Sequence, residues 1–115
     1  MAARAVTRNF GMSPKKVRRY LALIRGKRVS EAVATLTFMP SPAAVAVKKT
    51  LQSAVANAEN NHLVDSADLR VIDAHADDGL KLPRSRAQAR GRGAPVVRRS
   101  CHISVVVEEA TGRGT

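Results

Sequence analysis

Three histidines, one cysteine and a pair of adjacent aspartates are the side chains of this 115-residue sequence that could ligate a metal or move a proton. His62, His75 and His102 stand far apart, and no helical pattern carries two of them at metal-ligating spacing. They read as capping or surface histidines. Asp77 and Asp78 would serve acid–base or metal chemistry only if both faced one site. Neighbours on a strand point to opposite faces, so the pair reads as a solvated approach to a turn. Cys101 lies in an alternating apolar run and reads as a buried thiol, not a nucleophile. There is no Gly-Lys-Ser/Thr phosphate loop and no dinucleotide fingerprint. No catalytic constellation forms, so the sequence predicts neither an enzyme nor a metal site nor a cofactor.

Charge is the chemistry that remains. Lys and Arg number 20 against 9 Asp and Glu, a net charge of +11. Residues 1–30 hold nine basic and no acidic side chains, residues 31–78 three and seven, and residues 79–115 eight and two. Two basic ends flank an acidic middle, and Arg dominates the C-terminal end, the pattern of a phosphate binder. The Arg90-Gly91-Arg92-Gly93 tract is too short to specify an RNA-binding repeat. Phe10, Tyr20 and Phe38 are the whole aromatic supply. Tyr20 and Phe38 fall on apolar helix faces and are expected in the core, which disfavours modules that stack bases on aromatics. Recognition of backbone and shape by cations is the expected mode.

The elements that must position these groups follow from capping and periodicity. At this length the chain is expected to be one domain. Its core must come from Ala, Val, Leu and Ile, because aromatics make up only 3%. No apolar run reaches the ~20 residues of a membrane span, no signal-peptide core opens the chain, and one cysteine excludes an internal disulfide framework. Residues 3–9 read as an edge strand. Ser13-Pro14 signals a helix start, followed by Val17, Tyr20, Leu21 and Ile24 on one face and stopped by Gly26. Lys15, Lys16 and Arg18 in its first turn oppose the helix dipole, which implies an anion nearby. Ser30 is expected to cap a short second helix burying Val33 and Leu36. Ser41-Pro42 opens a third over about residues 42–60, with Val47, Leu51, Ala54, Val55 and Ala58 as its stripe.

Residues 69–76 and 101–107 read as strands. Residues 79–95 between them carry Lys81, Arg84, Arg86, Arg90 and Arg92 without an acid and cannot build a core. If residues 69–107 form one hairpin, each arm spans about 60 Å at ~3.3 Å per residue. A compact domain of this size has a radius of gyration of only ~13 Å. Such an arm must project, and its stabilising contacts must come from a partner.

Ser13-Pro14-Lys15-Lys16-Val17-Arg18, Ile24-Arg25-Gly26-Lys27, Ser53-Ala54-Val55-Ala56-Asn57-Ala58-Glu59-Asn60-Asn61, Ala89-Arg90-Gly91-Arg92 and Arg98-Arg99-Ser100-Cys101-His102-Ile103 occur in order. Together they resemble the bacterial-type large-subunit ribosomal protein twenty-two family, from about residue 4 to residue 109. The resemblance implies an α+β fold, three helices packed on a three-stranded antiparallel sheet, with a long protruding β-hairpin. It implies one ribosomal-protein domain over residues 1–115, with its body at about 1–78 and 96–110 and the hairpin tip at about 79–95. It implies binding to 23S-type ribosomal RNA, a role in subunit assembly, neighbouring large-subunit proteins as partners, no membrane, and a place in the cytoplasmic ribosome. Carried over by position, Lys15, Lys16, Arg18, Arg25, Lys27, Arg84, Arg90, Arg92, Arg98 and Arg99 would meet RNA. Arg86, Ala87, Gln88, Ala89, Arg90, Gly91, Arg92 and Gly93 would form the tip that lines the exit tunnel and meets the nascent peptide. The tip departs from the family pattern, with Ala87-Gln88-Ala89 where Pro-Arg-Ala is common. A free-standing DNA-compacting protein is the alternative from another class. It would need a dimer interface and apolar wedges, and the arm offers only Leu82 and Pro83.

Overall fold

A computed structural model describes residues 2–62, 69–79, 82–87 and 93–109. Strand β1 (Ala2–Phe10) is followed by helices α1 (Pro14–Ile24), α2 (Val29–Thr37) and α3 (Pro42–His62). Strands β2 (Leu69–Asp78), β3 (Leu82–Ala87), β4 (Gly93–Arg98) and β5 (Cys101–Glu109) complete the chain. β1, β5 and β2 form an antiparallel sheet in that order, and β3 pairs with β4 as a two-stranded ribbon. The expected α+β architecture is present, and the edge strand expected over residues 3–9 runs from Ala2 to Phe10.

Both Ser-Pro helix starts appear, but only one serine caps through its side chain. Ser41 Oγ accepts the Ala43 N–H at 3.2 Å, whereas Ser13 makes no side-chain cap bond. Gly26 takes φ +81°, a region that suits glycine, and turns the chain off α1. Helix α2 starts two residues earlier than the Ser30 cap implies. Its N-cap is Arg28, and its buried residues are Val29, Ala32 and Leu36, with Val33 only half-buried. Ala32 faces fully inward, and Val33 packs against the margin of the core.

The core lies between the helices and one face of the sheet. Val17, Leu21 and Ile24 of α1, Leu36 of α2, and Val47, Leu51, Ala54 and Ala58 of α3 are buried against Val71, Ala74, Ile103, Val105 and Val107. Alanines along α3, Ala43 and Ala44 included, let it approach β1 and β5 closely. Tyr20 packs against this core, but Phe38 does not, contrary to the periodicity. Helix α2 ends at Thr37, so Phe38, the C-cap at φ −88° and ψ 2°, leaves the buried face and is 85% exposed.

The imperfect alternation of β2 has a structural cause. The register against β5 slips between Val71 and Asp73. Val71 and Ala74 are both buried, while Ile72 and Asp73 both face solvent. This is a β-bulge, in which one extra residue resets which side chains point inward.

Candidate nucleic-acid interface

Helix α1 presents its basic side chains by a simple division of faces. Val17, Leu21 and Ile24 hold one side against the sheet, leaving Lys15, Lys16 and Arg19 exposed on the others. No acid occupies the first turn, so these cations stand against the positive end of the helix without a local counter-charge. Arg19 lies over the Tyr20 ring, 5.8 Å from its centroid.

Arg18 and Arg25 do something the charge pattern does not announce. Arg18 donates from Nε and Nη2 to the Ala76 carbonyl at 3.2 and 2.9 Å. Arg25 donates in the same way to the Ala74 carbonyl at 2.9 and 2.6 Å. Ala74 and Ala76 lie on β2, which has a single strand neighbour. Further along that edge, Gly26 N–H donates to Val71 O and Val71 N–H donates to Lys27 O, each at 2.9 Å. An open sheet edge invites unwanted pairing, and here α1 and the turn after it cover the edge of β2. On the other side of the sheet, Asn57 Nδ2 donates to Arg4 O on β1 at 2.9 Å.

The remaining candidates divide by position. Lys27 is half-buried, its carbonyl engaged with Val71, and Arg99 is exposed just before β5. In the ribbon, Leu82 pairs with Arg98, Arg84 with Val96, Arg86 with Ala94 and Ala87 with Gly93. Gln88, Ala89, Arg90, Gly91 and Arg92 lie outside the described residues. The charge pattern alone also passed over Arg4 and Arg8, both exposed on β1, and Arg28 and Arg70. Alternation was the available signal for the first two: Ala3 and Ala5 are buried, so Arg4 and Arg8 share the opposite parity.

The groups first weighed for proton or metal chemistry are dispersed. Cys101 is fully buried, and burial pushes its thiol pKa up, opposed in part by the nearby Arg18 guanidinium. His75 lies between two carboxylates of its own strand, Nδ1 3.2 Å from Asp73 and Nε2 3.4 Å from Asp77, on exposed surface. His102 Nδ1 accepts the Asn9 backbone N–H at 3.1 Å. Among the described residues no group of three His, Cys, Asp or Glu side chains is arranged to hold a metal. No described helix is long and apolar enough to cross a membrane. The carboxylate contacts of basic groups found among the described residues are those two of His75, so no Lys or Arg whose side chain is described pairs with a described carboxylate.

Comparison with known proteins adds an independent line. The family model described as "Ribosomal protein L22p/L17e" matches residues 5–108. Proteins named "Large ribosomal subunit protein uL22" from Dehalococcoides mccartyi strains BAV1 and CBDB1 are each 48% identical over 109 residues, spanning 95% of this chain and all of the relative. The protein of the same name from strain 195 is 47% identical over the same span.

Proposed function

The chain belongs to the ribosomal protein L22p/L17e family, and on that premise we propose that it binds 23S-type RNA of the large ribosomal subunit, supports subunit assembly, and lines the peptide exit tunnel with its hairpin tip. The relatives it matches are ribosomal proteins, not enzymes. In bacteria the place of such a protein is the cytoplasmic ribosome.

One observation carries the RNA reading: the chain has a net charge of +11, and the Lys and Arg whose side chains are described form no ion pair with a described carboxylate. Polyanionic phosphate supplies what is missing. Lys15, Lys16, Lys27 and Arg99 are the cations of the sequence-derived set best placed for it on the body. Arg84, Arg90, Arg92 and Arg98 would extend the contact along the hairpin. Arg18 and Arg25 take part with the N–H groups that β2 leaves free. Neighbouring large-subunit proteins would pack around the body, and the nascent peptide would pass Arg86, Ala87, Gln88, Ala89, Arg90, Gly91, Arg92 and Gly93.

The test is affinity for transcribed large-subunit RNA between ~50 and ~200 mM salt. Six to ten phosphate contacts weaken binding by roughly 10³- to 10⁵-fold over that range on the duplex scale, somewhat less for single strands. A flat response overturns the proposal. Sedimentation of tagged protein with the nucleoid, and not with large subunits, would favour a DNA-binding role instead.

A further inference from the structure

Two arginines that the family resemblance leaves without a role stand opposite each other. Arg28 forms an antiparallel backbone bridge with Arg70, near the start of β2. The hydrogen bonds of Val71 with Gly26 and Lys27 fix that pairing. Residues directly opposite in such a bridge bring their Cβ atoms to about 4.5–5.5 Å on one face, and like charges so placed repel. Among the described residues no carboxylate comes within ion-pair distance of either guanidinium. Glu108 faces Arg70 across β5 and Glu31 lies in the first turn of α2, yet neither forms an ion pair with either arginine. Arg70 Nε is buried and has no hydrogen-bond partner, a situation folded proteins rarely leave unresolved. Arg28 is also the N-cap of α2 and makes no side-chain cap bond, so the positive end of that helix lies beside the pair.

We propose that Arg28 and Arg70 together hold one phosphate group of the bound RNA. The proposal rests on the RNA-binding reading above and adds a site to it. A phosphate offers several acceptor oxygens, enough to satisfy Nε and a second guanidinium at once. It also turns a repulsive pair into a shared contact. The basic run Arg25, Lys27 and Arg28 on the same turn favours the RNA backbone over an acidic side chain of a neighbouring protein.

The experiment uses the full chain and transcribed large-subunit RNA. Arg70→Met and Arg28→Met should each weaken binding about tenfold at ~100 mM salt and lower the log–log salt slope by roughly 0.7–0.9. The double variant should lose little beyond the worse single one, because both side chains meet one phosphate. The thermal midpoint of free Arg70→Met should hold or rise, since the repulsion and the unpaired Nε are both gone. Should that variant fail to fold, Arg70→Lys decides: it keeps the charge and loses the fork, so affinity should fall several-fold with the slope retained. Parent-like affinity and slope in the variants, with a steep parent slope, overturn the phosphate site and leave the RNA reading intact. A flat parent slope overturns both. Variants that bind RNA like the parent but drop out of assembled subunits assign the pair to a protein neighbour, which also overturns it.

Discussion

A guanidinium that gives two of its five N–H groups to one carbonyl has three left, and both Arg18 and Arg25 are in that position. Each can hold β2 and meet an anion together. Their first duty is to the fold, so Arg18→Ala or Arg25→Ala should lower the stability of the free protein by about 1–2 kcal/mol, read from urea unfolding without RNA. Lys15→Ala, which removes an exposed cation, should stay within about 0.5 kcal/mol. If Arg18→Ala and Lys15→Ala unfold alike, the contact with β2 is unimportant. Residue types announced that these positions are cationic. They did not announce that the carbonyls they reach lie 58 and 49 positions away, because which carbonyls stay open depends on how the strands pair. Phe38 shows the same limit. Its place in an apolar pattern was readable, but the end of α2 at Thr37, which turns it outward, was not.

Helices α1 and α3 were readable because Ser-Pro pairs and apolar spacing are local signals. β5 was readable because Cys101, Ile103, Val105 and Val107 recur at every second position on the core face, although Ser104 between them is buried too. The α2 cap was misplaced by two residues because a serine there suits a cap better than Arg28, and tertiary packing prevailed. The junction between body and ribbon was hidden altogether. Gly79 N–H donates to Ser100 O at 2.9 Å, and a Cβ at residue 79 would meet Ser100 Oγ at 2.7 Å and the Cys101 backbone nitrogen at 3.2 Å. The backbone nitrogen belongs to β5 and cannot swing aside as a long side chain would. Gly79→Ala should therefore destabilise the body by about 1–3 kcal/mol, with amide resonances of Asn9 and Cys101 displaced. Gly11→Ala, with nothing within 4 Å of the added carbon, is the control. An equal effect of the two would refute the close approach.

The chain measures 67 Å along its longest axis and 26 and 18 Å across it, with a radius of gyration of 17.4 Å, above the ~13 Å of a compact domain. The three-stranded sheet and its helices make the body, and β3–β4 is a ribbon apart from that sheet. Assembly and tunnel roles should therefore separate. Deleting Gln88–Arg90 leaves Gly91-Arg92 between Ala87 and Gly93, the ends of β3 and β4, and a Gly-X pair suits a two-residue hairpin turn. Subunits carrying that deletion should assemble normally while nascent-chain pausing changes. Lys15→Ala with Lys16→Ala should do the reverse, lowering incorporation into subunits. Ribosome profiles and a pausing reporter on both variants decide it. A tip deletion that blocks incorporation as severely as the lysine changes would refute the separation.

The bulge at Ile72 gives this architecture a parity. Because strand side chains alternate with period two, the extra residue between Val71 and Asp73 inverts the in-and-out order of everything after it. Ala74 and Ala76 are buried, and Asp73 and Asp77 exposed, only because that inversion occurs. Removing Ile72 would leave Asp73 directly after Val71 in plain alternation, with Ala74 and Ala76 still facing the core, whereas pairing the strand straight through with Ile72 retained would turn the aspartates inward. Removing a matched pair from β3 and β4 would only shorten the ribbon by one rung. Evolution can trim or extend the arm in pairs, and in β2 the bulge is the place where a single residue can be given up without turning the rest of the strand over.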